Sequence, residues 1–300
     1  MKLKKILLGC LATFIEIVTV FLIPFPILFF SLLHAIAFNK KLKKIFKQQI
    51  ENSALLWVKI NHFIWHKILN LNIKITGAEN IDLQKNYLII ANHQSWIDIL
   101  MIEEALAKKT GFSRYFIKKN LIWIPLAGWS CRVLHYPYMY RFNKEYLAKN
   151  PHLRQKDILT TQKACRKLKG IHFKLNNFPE GTRFTQEKYK AQQSPYRFLL
   201  KPKTAGIAYA LEILNDQIDT ILDLTITFSK KPCITDLFFG DLGEINIHME
   251  KIPITPDLIG DYSSDAAYKV HIQEFLTKRW QKKDALIAQM NDYRVNQKKS

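Results

Sequence analysis

Tyr87-Leu88-Ile89-Ile90-Ala91-Asn92-His93-Gln94-Ser95-Trp96-Ile97-Asp98-Ile99-Leu100 changes character half way along. It opens as an apolar run of strand type and ends in an amphipathic helical pattern. The turn between them carries His93, and Asp98 follows five residues on. Strand-to-helix turns are where α/β folds present catalytic groups. A His oriented by a carboxylate is a general base for a hydroxyl. On one regular helix the two side chains would point about 140° apart. His93 is therefore expected in the turn or at the helix N-terminus, with Asp98 in the first turns of the helix.

Outward from this stretch, strand and helix patterns alternate. Strands are expected over 73–76, 87–91, 115–117, 133–140, 172–178, 220–228 and 244–249, and helices over 94–107, 153–168, 203–213 and 264–288. The alternation predicts an α/β fold, a mixed sheet with flanking helices. The last helix shows an apolar stripe of Val270, Phe275, Leu276 and Leu286, with a basic opposite face expected to meet solvent or membrane.

A second segment, Asn177-Phe178-Pro179-Glu180-Gly181-Thr182-Arg183, also follows an apolar stretch. Its Gly turn ends in Arg183, a planar and permanently charged fork suited to a phosphate. With His93 and Asp98 it points to chemistry on an alcohol that carries a phosphate. The spacing alone is a weak signal, because His152 and Asp157 repeat it. That second pair lies in a charged, helix-like stretch with no strand before it and is expected on a solvated helix face.

These residues resemble the glycerolipid acyltransferases, which transfer a fatty acyl chain to a lysophospholipid. His93 and Asp98 are similar to that family's His-x4-Asp motif, and Phe178 to Arg183 to its Phe-Pro-Glu-Gly-Thr-Arg motif. Between them, Lys118-Lys119-Asn120-Leu121-Ile122-Trp123-Ile124-Pro125-Leu126-Ala127-Gly128 resembles the second block. Tyr140-Arg141 takes the place of the Arg that follows it. The resemblance spans about residues 70–230, four blocks in order. The insert at 188–200 and the segment Leu200-Lys201-Pro202-Lys203-Thr204-Ala205-Gly206 look like the branch holding lysocardiolipin-type and related bacterial acyltransferases. Asp219 to Thr225 stands where many members carry a Pro-rich strand, which fits the same branch.

The resemblance implies a glycerol-phosphate-acyltransferase-like fold and a membrane-bound enzyme of phospholipid synthesis or remodelling. The acyl group would pass from a thioester to the free hydroxyl, at sn-2, of a lysophospholipid or lysophosphatidic acid. Acyl-CoA or acyl carrier protein would be a co-substrate; no cofactor and no metal are expected. His93 would take the hydroxyl proton while Asp98 holds the tautomer and stabilises the cation, the logic of a triad without its serine. No Gly-x-Ser-x-Gly elbow occurs in the chain. Glu180, Gly181, Thr182 and Arg183 would form the substrate turn, with Arg141, Lys119 and Lys203 as further phosphate contacts. Three rivals stand beside this reading: an acyltransferase acting on a non-phosphorylated acceptor, a catalytically inactive lipid-binding membrane protein of the same fold, and a membrane-anchored nucleic-acid-binding protein.

The 45 Lys and Arg against 25 Asp and Glu give a formal charge of +20, which implies a polyanionic partner. Residues 1–70 carry a net +8 and the remainder +12, with no Arg-rich tail or nucleic-acid signature. Anionic membrane lipids are therefore the expected partner rather than nucleic acid. Cys10, Cys131, Cys165 and Cys233 are scattered without a CxxC, so neither a disulfide framework nor a zinc site of that type is indicated.

Residues 6–38 are apolar apart from Glu16, His34 and a few hydroxyls. As one helix they would measure about 50 Å, beyond the ~30 Å hydrocarbon core. Pro24 and Pro26 divide them, and Lys clusters flank both ends, in conflict with a single crossing. A bent helical hairpin dipping into one leaflet is expected, with a single span as the alternative; the run is too long for a signal peptide. An amphipathic helix over 45–70 follows. Residues 1–70 thus form a membrane-anchoring segment and 71–300 the catalytic domain, expected on the cytosolic face of the inner (cytoplasmic) membrane.

Overall fold

The computed structural model describes residues 2–297 apart from 78, 80, 83, 111, 141, 143–145, 147, 148 and 151. Three helices, α1 (Lys2–Leu22), α2 (Pro24–Ile36) and α3 (Lys40–Phe63), lead through a π turn (Ile64–Ile68) into β1 (Asn72–Thr76). β2 (Asn86–Ala91) feeds α4 (Ile97–Thr110), followed by β3 (Arg114–Tyr115), β4 (Ile117–Lys118), α5 (Ala127–Val133) and β5 (Tyr138–Met139). α6 (His152–Arg166) precedes β6 (Lys174–Asn177), and α7 (Gln186–Gln192) and α8 (Ala205–Leu214) precede β7 (Ile218–Phe228). α9 (Ile234–Phe238), β8 (Glu244–Pro253) and α10 (Ala266–Gln297) follow.

Six strands form one sheet in the order β1-β8-β7-β2-β6-β3. β7, β2, β6 and β3 run parallel, while β8 lies antiparallel to β7 and parallel to β1. The sheet is mixed, as its sequence pattern implies. β2 lies between β7 and β6, and residues 87–91 are buried throughout, which is what a central parallel strand demands of its side chains. Tyr87, Ile89 and Ala91 pack with Trp65 of the π turn and with Ile97, Met101 and Ile102 of α4. Leu88 and Ile90 point the other way, to Leu211 of α8 and Leu276 and Trp280 of α10. Helices therefore cover both faces of the sheet.

Local contacts explain where the elements depart from their expected bounds. The helix expected from 94 starts at Ile97, because the amides of Gln94 and Ser95 are turned back onto the Asp98 carboxylate. The strand expected over 115–117 is two: β3 pairs with β6, and β4 pairs with β5 in a separate two-stranded patch. The strand expected over 133–140 shrinks to Tyr138–Met139. Its first half is spent on the end of α5 and on a left-handed His135 (φ 59°), with the Leu134 carbonyl bonded to Arg114 Nε at 2.7 Å.

α10 also differs. Val270 is exposed, and the buried stripe runs through Tyr268, Ile272, Leu276, Trp280, Lys283 and Ile287. Its basic face does not simply meet solvent. Lys283 is buried and bonds Asp223 of β7 at 2.5 Å, while Arg279 joins Asp223 at 2.8 Å and Glu250 of β8 at 2.6 Å.

At the N-terminus the chain does not reverse at the prolines. Pro24 sits in the first turn of α2, where a missing N–H costs nothing, and Ile23 keeps helical angles (φ −62°, ψ −34°). Residues Leu3–Ile36 thus form one run of 34 residues, long and apolar enough to cross a membrane. The reversal comes at 37–39, where Asn39 caps α3 by accepting from Lys41 N at 2.7 Å. Ile27 of α2 then meets Ile50, Ala54 and Val58 of α3 in a small cluster that also takes in Phe112 and Leu134.

Candidate active site

The site forms where β2 and β6 end side by side. Their parallel register sets Ile90 opposite Asn177. Three residues beyond each partner come His93 and Glu180, and strand pairing closes the 87 residues between them. Asn92 fixes the strand exit: its amide donates to Ile226 O and its side-chain oxygen accepts from Ile226 N, both at 2.9 Å.

Asp98, entirely buried, closes the turn. Its Oδ2 accepts from Gln94 N at 2.6 Å and Ser95 N at 2.8 Å, and lies 2.8 Å from His93 Nδ1. Burial pushes the Asp98 carboxyl above the usual carboxylate range, while the imidazole and the two amides pull against that shift. With Nδ1 held by the carboxylate, Nε2 is the nitrogen placed to accept a proton; this tautomer is assigned from the contact. The ring stacks on Phe178 at 4.0 Å and 15°, and Phe178 stacks in turn on Tyr115. The His93 side chain keeps 13% of its surface exposed, so one edge of a fixed ring remains accessible.

Glu180 has a different place from the one expected of it. It is fully buried and cannot touch a substrate. Its Oε1 accepts from His93 N at 2.8 Å and its Oε2 from Leu200 N at 3.1 Å. Burial pushes its carboxyl up to about 8, the two amides opposing. Glu180 therefore ties the second turn to the backbone of His93. Phe184 N adds a second tie, donating to His93 O at 2.8 Å.

Around this brace the cations gather. Gly181 adopts φ +70°, and a Cβ there would stand 3.2 Å from Lys203 Nζ, so the glycine lets that ammonium lie across the turn. Lys203 is anchored by its own N–H on Pro179 O at 2.7 Å. Lys188, from the first turn of α7, bonds Thr182 Oγ1 at 2.7 Å and Arg183 O at 3.1 Å. The Arg183 guanidinium lies 4.8 Å over the ring of Trp96, three residues from His93. The stack orients the planar fork and leaves it presented to solvent. Arg183, Lys203 and Lys188 together make an anion-receptive rim beside the imidazole.

Of the remaining expected residues, Lys119 bonds the Tyr140 hydroxyl and lies 4.3 Å over its ring, so its described contacts tie it to Tyr140 rather than to the Gly181 turn. Arg141 lies outside the described residues. Asp157 does not pair with His152; its Oδ1 accepts from Tyr140 N at 2.8 Å, and His152 is exposed. The solvated reading thus holds for the histidine, while the aspartate secures the end of β5. Sequence reasoning missed Asn92, Phe178, Lys188 and Trp96 as parts of the site. Asn92 carried a signal as a polar residue directly at the end of an apolar run, and Phe178 as the first residue of the Phe-Pro-Glu-Gly-Thr-Arg segment.

Beside Trp96 opens an apolar cleft of about 340 Å³, walled by Ile17, Val20 and Phe21 of α1, Leu100 of α4 and Ile234 and Phe238 of α9. Its near end reaches the Arg183 stack and its far end the N-terminal helix. A fixed imidazole, a rim of cations and an apolar groove therefore lie together beyond the ends of β2 and β6.

A family model described as Acyltransferase matches residues 72–228, just over half of the chain. 1-Acyl-sn-glycerol-3-phosphate acyltransferase 3 of Arabidopsis thaliana is 28% identical over 264 residues, covering 79% of this chain and 66% of its own length. The mouse 1-acyl-sn-glycerol-3-phosphate acyltransferase gamma is 27% identical, covering 68% of this chain and 53% of its own. The chain thus spans between about half and two-thirds of the length of these relatives. Among solved structures, the 1-acyl-sn-glycerophosphate (LPA) acyltransferase PlsC of Thermotoga maritima superposes with a TM-score of 0.54 at 18% identity, covering 94% of this chain and 98% of that one. That likeness shows the fold.

Proposed function

The chain belongs to the acyltransferase family, and from that premise we propose that it transfers a fatty acyl chain from a thioester to the free hydroxyl of a lysophosphatidic acid or a related lysophospholipid. One observation carries the proposal. The imidazole of His93, held by Asp98, stands on the same turn pair as the cations Arg183, Lys203 and Lys188. A base beside a phosphate seat suits an acceptor that carries both a hydroxyl and a phosphate.

The acceptor hydroxyl, its phosphate on Arg183 and Lys203, attacks the thioester carbonyl. His93 Nε2 takes the proton as the C–O bond forms, and the buried Asp98 carboxylate stabilises the resulting imidazolium. The tetrahedral intermediate expels the thiolate, which takes the proton back from His93. No acyl-enzyme is required, since the thioester is already activated. The donor is an acyl-CoA or an acyl carrier protein, and the acceptor position sn-2. The apolar cleft beside Trp96 gives the acyl chain a path toward α1.

Membrane association fits the same arrangement. Leu3, Leu7, Leu11, Phe14, Phe21 and Phe25 form an exposed apolar stripe along α1 and α2. Lysines 2, 4 and 5 precede the run and 40, 41, 43 and 44 follow it. The lysines at both ends of this run favour residues 1–70 lying within one leaflet over a single crossing. Both lysine clusters rest at the cytosolic surface of the inner membrane, and the catalytic residues 71–300 sit above. A panel of acceptors tests the proposal. Thiol release from acyl-thioester should be fastest with lysophosphatidic acid or a phosphate-bearing lysolipid and slowest with monoacylglycerol; equal rates with both would contradict it.

A further inference from the structure

Away from the catalytic turn, two histidines of the anchor face one carboxylate of the catalytic helix. His62 is the last-turn residue of α3 and His66 lies in the π turn. At i and i+4 they share one helix face, with ring centroids 4.3 Å apart and planes inclined at 45°. Both aim at Glu104 of α4. His62 Nδ1 stands 2.7 Å from Oε2 and 2.9 Å from Oε1, and His66 Nε2 stands 2.9 Å from the same Oε1.

We infer that His62, His66 and Glu104 form a transition-metal site, of zinc type, that fastens the anchor to the helix bearing Asp98. Three arguments support it. The donor set is two imidazoles and a carboxylate, which suits Zn2+ and its neighbours and leaves a fourth position for water. The three ligand atoms all lie within 4.8 Å of one another. A tetrahedral ion with bonds near 2.0–2.1 Å holds its ligands about 3.3 Å apart, so modest ring rotations close the site. The carboxylate also needs a cation. Its side chain is only 5% exposed, yet among the described residues its bonds go to two imidazoles that are neutral unless protonated, and a buried carboxylate is costly without positive charge beside it.

The backbone adds an independent sign. The segment carrying His66 is π-helical: Leu69 N bonds Ile64 O, five residues back, at 2.9 Å. Such turns are less stable than an α-helix and concentrate at functional sites. Glu104 stands six residues after Asp98, about 9 Å along the same helix. An ion here holds α4 against the anchor without entering the acyl transfer.

Tag-free full-length protein in detergent, stripped with a chelator and dialysed, is titrated with Co2+ while its visible ligand-field absorption is followed. One equivalent per chain should bind, with a tetrahedral spectrum that Zn2+ displaces, and Zn2+ should raise the thermal midpoint. His66→Gln keeps a donor for Glu104 and so preserves the fold. It should lower affinity at least about 100-fold, beyond the 10- to 100-fold typical of an outer-shell change. His271→Gln, which removes an exposed histidine paired with Asp257, should leave binding unchanged. A parent protein without saturable one-to-one Co2+ binding, or a His66→Gln protein that binds as tightly as the parent, would overturn the site and reduce the cluster to a hydrogen-bonded triad.

Discussion

In the turn after β2, His93 and Asp98 lie 2.8 Å apart with the carboxylate wholly buried. At the start of α6 the same spacing leaves His152 exposed, while Asp157 accepts from Tyr140 N instead. What separates the pairs is the element in front of them. β2 ends in a turn whose amides fold onto Asp98, so three hydrogen bonds converge on its Oδ2 and the imidazole is fixed. α6 offers only a helical surface, where residues five apart point away from each other. The spacing brings the two side chains together when a buried strand delivers it to a helix N-terminus.

The largest effect that tests this contrast belongs to Asp98→Asn. The amide keeps the shape but cannot stabilise an imidazolium, and its NH2 competes with the donors of Gln94 and Ser95. A fall in kcat of about 10³–10⁴-fold is expected, whereas Asp157→Asn should stay within a few-fold of the parent. Steady-state kinetics of the two proteins measures the difference.

Arg183→Ala comes next. It removes a charge-assisted fork and should cost about 1.5–3 kcal/mol, roughly 10- to 150-fold in kcat/KM for phosphate-bearing acceptors. Activity toward monoacylglycerol should change far less. A uniform loss across both acceptors would separate Arg183 from phosphate recognition.

The remaining effect is one of stability rather than rate. Glu103 of α4 accepts from Tyr115 OH at 2.8 Å and is fully buried, which pushes its carboxyl from 4.5 to about 7. Glu180 behaves likewise, rising to about 8. Between 4.5 and these values the folded protein keeps protons that the unfolded chain has released. Stability should therefore fall as pH rises through about 5–8 and level off above. Glu103→Gln removes one of the two groups and should flatten the fall by up to about 3 kcal/mol. Thermal midpoints at pH 5 and pH 9 check it; equal slopes in parent and variant would place the proton elsewhere.

The sheet was legible because β2 is an apolar run and β7 carries apolar residues at short intervals, and the site because the stretches leading to His93 and Glu180 end in polar motifs. What escaped the sequence depends on register and on long-range partners. Glu180 reads as a turn residue until pairing of Ile90 with Asn177 puts it under His93. Lys283 reads as surface until Asp223 faces it across the sheet. The prolines at 24 and 26 read as a break, yet the first turn of a helix does not use the bond that proline lacks. The expected strand over 133–140 failed for a similar reason, since Arg114 binds the Leu134 carbonyl from a distant element.

The central claim is that His93, and not its counterpart in α6, takes the proton from the acceptor. Thiol release from acyl-thioester with lysophosphatidic acid, followed for His93→Ala and His152→Ala beside the parent, addresses it directly. Removal of a general base costs about 10²–10⁴-fold, and with no serine nucleophile in reserve His93→Ala should fall at or beyond the upper end. His152→Ala should match the parent within a few-fold, both variants remaining folded and membrane-bound. A His93→Ala protein that turns over at the parental rate, or a His152→Ala protein that loses activity while His93→Ala keeps it, would contradict the account.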